Sequence, residues 1–524
     1  MLDYPSTAPA LLPVGAPERA ETVMGDGTVL VSDIHRPARG GTYPVLVMRQ
    51  PYGRAIASTI VLAHPAWYAA HGYVVVVQDV RGTGGSGGDF DPFQTEISDG
   101  AETLVWARAL PGGNGAMATY GFSYQGMTQL LALAGGARPD AMAISMAAFD
   151  PEFDWATEGG VFRVGLCTGW AAQMARDRAR RQGDDTALAA LAPEQGWQSQ
   201  FTYLVSRPDL SHLARWCTPG GAGHDPAAAL CDTALNVPLL QVAGTADFLL
   251  RGSLAADHAF RAQSPRTTHL ILAPWPHIPW AQTDTGLSID RAQIAFFDHY
   301  LKDTGPRPAA CIAHVSGAGC WATHDPTRLH DTPTRTYHLA SGGLAAPTVS
   351  DGQLCETAPG DGCDILVHDP SRPAPLIGGA AGQPPGPAER GALDTRSDVA
   401  CYTTAPFPQA GLLFGPAHLT LALEQTGPTV PVAASLSCLR PDGSAHVLST
   451  AVAAPGHTLR FDALAARIAP GDALRLSIQP APTPDYLLVR APVLPGAHTM
   501  PTRLTLHHGE SLLRLPLTPE ATDD

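Results

Sequence analysis

A serine held between two glycines, where an apolar run meets a helix-competent segment, limits this chain more than any other feature. The run Ala116-Met-Ala-Thr-Tyr120 leads into Gly121-Phe122-Ser123-Tyr124-Gln125-Gly126, and Met127 to Ala134 follows with helical character. This is the G-x-S-x-G pattern of a nucleophile elbow, strand then tight turn then helix. Glycines two residues either side of the serine let strand and helix pass closely, so the serine backbone can be held in a strained conformation that lifts its hydroxyl clear of the sheet. At a helix N-terminus, Ser123 feels the positive end of the helix dipole, and the Tyr124 N–H points where an oxyanion would form. With 53 glycines in the chain the pattern arises readily by chance, and a turn serine capping its helix is the competing reading. The strand and helix on either side favour the nucleophile.

A chain of 524 residues exceeds what one hydrophobic core can organise, so two or three domains are expected. Its 44% hydrophobic and 15% charged residues describe a folded, soluble chain, and a formal charge of −15 argues against nucleic acid or an anionic membrane as the partner. No apolar run approaches bilayer length, and the opening Met1-Leu-Asp-Tyr-Pro5 has neither a basic nor an apolar signal region. Nine cysteines, an odd number without C-x-x-C pairs, read as reduced thiols of a cytoplasmic protein with no zinc site. Cys311/Cys320 and Cys355/Cys363 are spaced for local disulfides, which the absent signal disfavours.

Read in order, residues before Glu21 are Pro/Ala-rich and irregular. A hairpin is expected from Glu21 to Met24 and Thr28 to His35 around Gly25-Asp26-Gly27. Strands follow at Val45–Gln50 and at Tyr73–Val80, whose four valines suit a parallel sheet buried on both faces, with an Ala-rich helical stretch (Ala57 to Ala70) between them. Gly82 to Gly87 spells G-x-G-x-x-G, but a dinucleotide-binding turn needs a helix to start at the glycines. Gly88, Asp89, Asp91 and Pro92 come next, and helical spacing waits until Ser98, so a connecting loop is the better reading. After the elbow and a short strand at Ala141–Ala147, residues from Pro151 to Asn236 read as helical segments without strands, as an inserted cap would. Strands return at Val237–Ala243 and Thr268–Trp275, and a helix from Asp290 to Leu301 closes the half. Beyond about Thr332, short alternating runs such as Leu419–Leu423, Val432–Leu439 and Leu474–Ile478 describe a β-sandwich, with residues 371–391 as a wrapping loop.

An elbow serine needs a base, and the base needs an acid to fix its tautomer. In α/β-hydrolases these follow in the order Ser, Asp, His, each on the loop after a strand. Gln241-Val-Ala-Gly-Thr-Ala-Asp247 offers Asp247, and Leu270-Ile-Leu-Ala-Pro-Trp-Pro-His277 offers His277. Among 20 histidines position decides: His299 falls inside a helix and His269 at a strand's start, whereas His277 follows the final buried strand. Asp247 as an ordinary cap before Leu249-Leu250 is the structural alternative.

Pro51-Tyr52, Asp79-Val-Arg81-Gly82, the elbow through Gln129, Gly244-Thr-Ala-Asp247 and Pro274-Trp-Pro-His277, with Arg396 to Thr404 and Gly415-Pro416 later, resemble one family. They are similar to the cocaine esterase-like acyl hydrolases, relatives of the X-Pro dipeptidyl-peptidases and α-amino acid ester hydrolases, from about residue 21 to the C-terminus. The resemblance implies an α/β-hydrolase body (21–150 and 237–332), a helical cap inserted at 151–236 and a C-terminal jelly-roll sandwich (333–524). It also implies that the Tyr52 hydroxyl joins the Tyr124 N–H in the oxyanion hole, and that Trp155, Trp170 and Phe248 face the acyl group. Two departures stand out. Glu424 to Pro431 lacks the acidic, Ser-rich turn expected after the Leu419 strand, which puts pocket contacts from that domain in doubt; and no acidic cluster that would bind a free α-amine is visible. The expectation is serine acyl transfer on a small ester, amide or short peptide, without metal or cofactor. An acyltransferase or amide synthase and an X-Pro peptidase are the alternatives, and self-association as a homodimer is left open.

Overall fold

Val74 to Val77 are each no more than 1% exposed, because their strand lies inside a sheet covered on both faces, where each valine contributes about 1.5–3 kcal/mol of burial. The computed structural model that shows this describes residues 11–55, 61–218, 220–221, 226–230, 234–278, 285–330, 335–482, 486–488 and 500–520. The first half contains β1 (Glu18–Val23), β2 (Val29–His35), β3 (Tyr43–Gln50), β4 (Val74–Asp79), β5 (Gly113–Phe122), β6 (Ala141–Ser145), β7 (Thr157–Glu158), β8 (Val161–Phe162), β9 (Leu239–Ala246), β10 (Thr268–Pro276), β11 (Cys311–Val315) and β12 (Cys320–Thr323). Ten of them form one sheet in the order β1-β2-β4-β3-β5-β6-β9-β10-β11-β12. Pairing is antiparallel at the two ends and parallel from β4 through β11. The fold is an α/β-hydrolase body joined to an all-β sandwich.

Several expectations shift. The first strand begins at Glu18, inside the stretch before Glu21 expected to be irregular. The helix before β4 spans Pro65–Ala70; part of the Ala57–Ala70 stretch lies outside the described residues. β10 is not the last buried strand: β11 runs parallel to it with Cys311 and Ala313 at 0% exposure, and β12 turns back along β11. At five residues with a histidine among them, β11 gives almost no periodic signal. The cap is not purely helical either, since β7 and β8 form a small antiparallel hairpin. The expected boundary at 332 falls outside the described residues, and the sandwich resumes at Arg335.

The Gly-rich segment after β4 is a structural knot, not a nucleotide cradle. It wraps the buried Asp79, whose carboxylate accepts from Gly85 N (2.8 Å), Arg54 N (2.6 Å) and Arg54 Nη1 (2.6 Å). Gly84 sits at φ +50°, and a Cβ there would collide with that carboxylate.

In the sandwich a ten-stranded sheet faces a three-stranded one built of Gly411–Gly415 between Leu464–Ile468 and Leu517–Pro519. Its core draws on Tyr402, Leu419, Leu436, Leu476 and Leu513, alternate residues of separate strands as a two-sided packing requires. Arg251, on the helix after β9, joins the three parts. It binds Glu158 of the cap hairpin (3.0 Å), and Asp462 (2.7 Å) and the Arg460 carbonyl (2.8 Å) of the sandwich. Backbone bonds between Phe162 and Leu487 add a second seam. The eight described cysteines are free thiols. Val315 pairs with Cys320, so Cys311 sits four residues along the strand, roughly 13 Å from the position opposite Cys320 and too far to bridge. Among the described residues no helix is long and apolar enough to cross a membrane.

Candidate active site

Ser123 has φ 61° and ψ −123°, one of four described non-glycine residues at positive φ. The strain is enforced locally. Ser123 N donates to the Ser145 carbonyl (2.9 Å), Phe122 N donates to the Gln125 side chain (2.9 Å), and the helix Tyr124–Ala134 starts at once. A Cβ at Gly121 would strike Gln125, and one at Gly126 would strike Ala147 and Ile144, so both elbow glycines are required by close approach.

The other site residues follow the C-terminal ends of parallel strands: Tyr52 after β3, Asp247 after β9 and His277 after β10. In sheet order β9 lies two strands from β5 and β10 three, so His277 must reach back over roughly 14 Å of sheet. It does: the Ser123 hydroxyl lies 3.1 Å from His277 Nε2, and His277 Nδ1 lies 2.7 Å from Asp247 Oδ1. Asp247 is 0% exposed, and the same oxygen accepts from Leu249 N at 3.1 Å. The imidazole is packed between two rings, Phe122 at 4.6 Å and Phe248 at 4.3 Å, which fixes its plane. Donation from Nδ1 to the carboxylate leaves the Nε2 lone pair facing the serine hydroxyl, the tautomer a general base needs.

Tyr52 hangs over this group from the body side. Its amide donates to Gln50 Oε1 (2.9 Å), its phenol oxygen accepts the Trp170 indole N–H (3.2 Å), and it lines the same cavity as Ser123. Burial holds the phenol above its usual pKa, so it keeps its proton. The Tyr124 amide opens the helix and belongs to the first turn, whose N–H groups have no intrahelical acceptor. The Tyr124 side chain points elsewhere: its phenol accepts from Phe93 N (3.0 Å) and donates to Glu96 (3.2 Å), and burial pushes both Tyr124 and Glu96 up.

These residues floor a cavity of about 890 Å³. Trp155, Trp170 and Phe248 all line it. Trp155 comes from a single π-helical turn, Pro151–Ala156, and meets Trp170 edge-on at 4.8 Å. Sequence reasoning missed most of the remaining wall. Phe93 belongs to the stretch read as a connecting loop, Met127 to the segment read only as the elbow helix, and Arg163 to a cap whose arrangement was not legible. The contacts doubted for the sandwich are present: Pro375, Leu376, Ala380 and Gln383 of the wrapping loop, with Pro482 and Tyr486, close the wall. No periodic signal marks such a loop. Among the described lining residues Arg163 is the one permanently charged side chain; its Nη1 donates to the carbonyls of Phe248 (3.2 Å) and Asp154 (3.4 Å). No three His, Cys, Asp or Glu side chains among the described residues cluster as metal ligands do.

The fold and this chain of contacts define a serine hydrolase. A family model described as X-Pro dipeptidyl-peptidase (S15 family) matches residues 26–279, and one described as X-Pro dipeptidyl-peptidase C-terminal non-catalytic domain matches residues 299–487. The cocaine esterase of Rhodococcus sp. (strain MB1 Bresler) is 27% identical over 467 residues, 81% of this chain and 80% of that protein. An aminopeptidase structure from the marine sediment archaeon Thaumarchaeota archaeon has a TM-score of 0.75 at 19% identity, covering 95% of this chain and 96% of its own. An α-amino acid ester hydrolase structure has a TM-score of 0.73 at 18% identity over 98% of both chains. The chain belongs to the superfamily of X-Pro dipeptidyl-peptidases and cocaine esterase-like acyl hydrolases.

Proposed function

We propose that the protein cleaves an ester or amide bond of a small, largely apolar acyl substrate through an acyl-enzyme on Ser123. The carrying observation is the unbroken contact from Ser123 Oγ through His277 to the buried Asp247 at the floor of an apolar cavity. In this reading His277 Nε2 takes the Ser123 proton as the hydroxyl attacks the carbonyl carbon. Asp247 stabilises the imidazolium that results, and the Tyr52 O–H and Tyr124 N–H donate to the tetrahedral oxyanion. His277 then returns the proton to the leaving group, and water repeats the sequence on the acyl-enzyme.

Trp155, Trp170 and Phe248 would hold the acyl group by ring contact. The likeness in fold to an α-amino acid ester hydrolase does not extend the reading to amine-bearing acyl groups, because the charge at the described wall is the Arg163 guanidinium. The proposed compartment is the cytoplasm, on the strength of the free thiols; thiol titration of unfolded, unreduced native protein should find all nine. A fluorophosphonate should label Ser123, and turnover of a p-nitrophenyl ester should vanish in Ser123→Ala. Unchanged turnover in that variant overturns the reading. Product analysis with added amines separates hydrolysis from acyl transfer.

A further inference from the structure

The hydrogen bond from Trp170 to Tyr52 joins two parts of the molecule that chain order keeps apart. Trp170 stands on the long cap helix Val164–Gln182, and Tyr52 on the body loop after β3. An indole N–H can only donate. At 3.2 Å it therefore occupies a lone pair of the phenol oxygen and leaves the one phenolic proton to point away from the indole, into the cavity that Tyr52 and Ser123 both line. The indole has little freedom to do otherwise. It is stacked on Tyr124 (5.8 Å, 19°) on one hand and on the fully buried Trp216 (5.6 Å, 23°) on the other, with Trp155 edge-on against it. Tyr124 is itself anchored through its phenol to Glu96 and the Phe93 amide. One ring thus touches both residues assigned to the oxyanion hole, the phenol of one directly and the other through its aromatic face.

We propose that Trp170 is a positioning residue of the oxyanion hole, fixing the direction of the Tyr52 O–H and polarising it, so that the hole is complete only with the cap helix docked. This rests on the reading of Tyr52 as an oxyanion donor. Donation into the phenol oxygen strengthens the phenol as a donor in turn, because hydrogen bonds in a chain polarise one another. Without it the hydroxyl can rotate about its C–O bond and present a lone pair to the developing negative charge.

The test replaces Trp170 by β-(3-benzothienyl)alanine, which keeps the ring system and its stacking but exchanges the N–H for sulfur. It is made in the wild-type and the Tyr52→Phe backgrounds, with circular dichroism and the thermal midpoint as the check of folding. On a p-nitrophenyl ester the wild-type background should lose about tenfold in kcat, the order of one neutral hydrogen bond, with KM within about twofold. In the Tyr52→Phe background the replacement should change kcat by less than about twofold. Equal losses in both backgrounds, or no loss in the first, overturn the proposal while leaving Tyr52 as a donor. A Tyr52→Phe enzyme with wild-type kcat removes the oxyanion reading and this inference together.

Discussion

The floor and the roof of the cavity are built on different principles. The floor is made of residues that each sit one turn beyond a parallel strand, with backbone and ring plane set by the sheet: Ser123 by its strained turn, Asp247 by full burial, His277 by the two rings around it. The roof is assembled from a π-helical turn, one face of a helix, and two sandwich segments that share no element type. Floor positions are specified within about one residue by local sequence. Roof positions depend on how three bodies dock through contacts such as Arg251 with Glu158 and Asp462. On the proposed reading the difference divides the enzyme's work: the reacting groups reside in the part that cannot shift, acyl selection falls to the roof, and Trp170 is the roof residue that reaches back to the chemistry.

The strongest challenge to that division strikes the floor. Asp247→Asn should cut kcat by about 10⁴-fold without unfolding the protein, since the amide imposes the wrong imidazole tautomer on His277; single-turnover kinetics with an activated ester would register it. Tyr52→Phe ranks next, with an expected loss of about 10²–10³ in kcat, the size of one oxyanion donor, and little change in KM. A roof variant should behave oppositely. Leu376→Trp narrows the cavity from the sandwich side, so kcat/KM for a long or branched acyl ester should fall by roughly tenfold or more against the acetyl ester, whose kcat stays near wild type. Equal effects on both esters would mean that the wrapping loop does not touch the acyl group.

The smallest effect concerns the seam itself. Asp154, in the π-helical turn, accepts from the amides of Phe149 (3.0 Å) and Asp150 (2.7 Å), and burial pushes its carboxyl up to about 6. The folded state then holds this proton to higher pH than the unfolded chain, whose carboxyl titrates near 3.8. The group's contribution to stability therefore falls as pH rises from about 4 through about 6 and is level above that. Asp154→Asn keeps an acceptor oxygen and removes the charge. Its Tm should exceed wild type by roughly 2 °C at pH 8 and match it more nearly at pH 4, read by calorimetry. No pH-dependent difference would show that the carboxylate costs nothing where it sits.

Legibility in the sequence followed the same line. The elbow was visible because two glycines and an apolar run are needed at fixed offsets for a strand and helix to cross, and Asp247 and His277 because each ends a buried strand. β11 was missed because five residues with a histidine carry too little periodicity. The small β7–β8 hairpin was missed because two-residue strands carry none. Leu376 and Gln383 were read only as part of a Pro-rich loop. Nothing in such a loop's own residues says against which surface it lies.

The sequence by itself determined the α/β order and marked the candidate nucleophile and its two candidate partners, since the signal for each lies within one turn of a buried strand. Only the tertiary structure decided that β10 has a neighbour beyond it, that Trp170 reaches Tyr52 across 118 residues of chain, and that the sandwich walls the pocket. Those contacts join segments with no shared local pattern. Their free energy comes from surface complementarity, which exists only once the bodies have packed together.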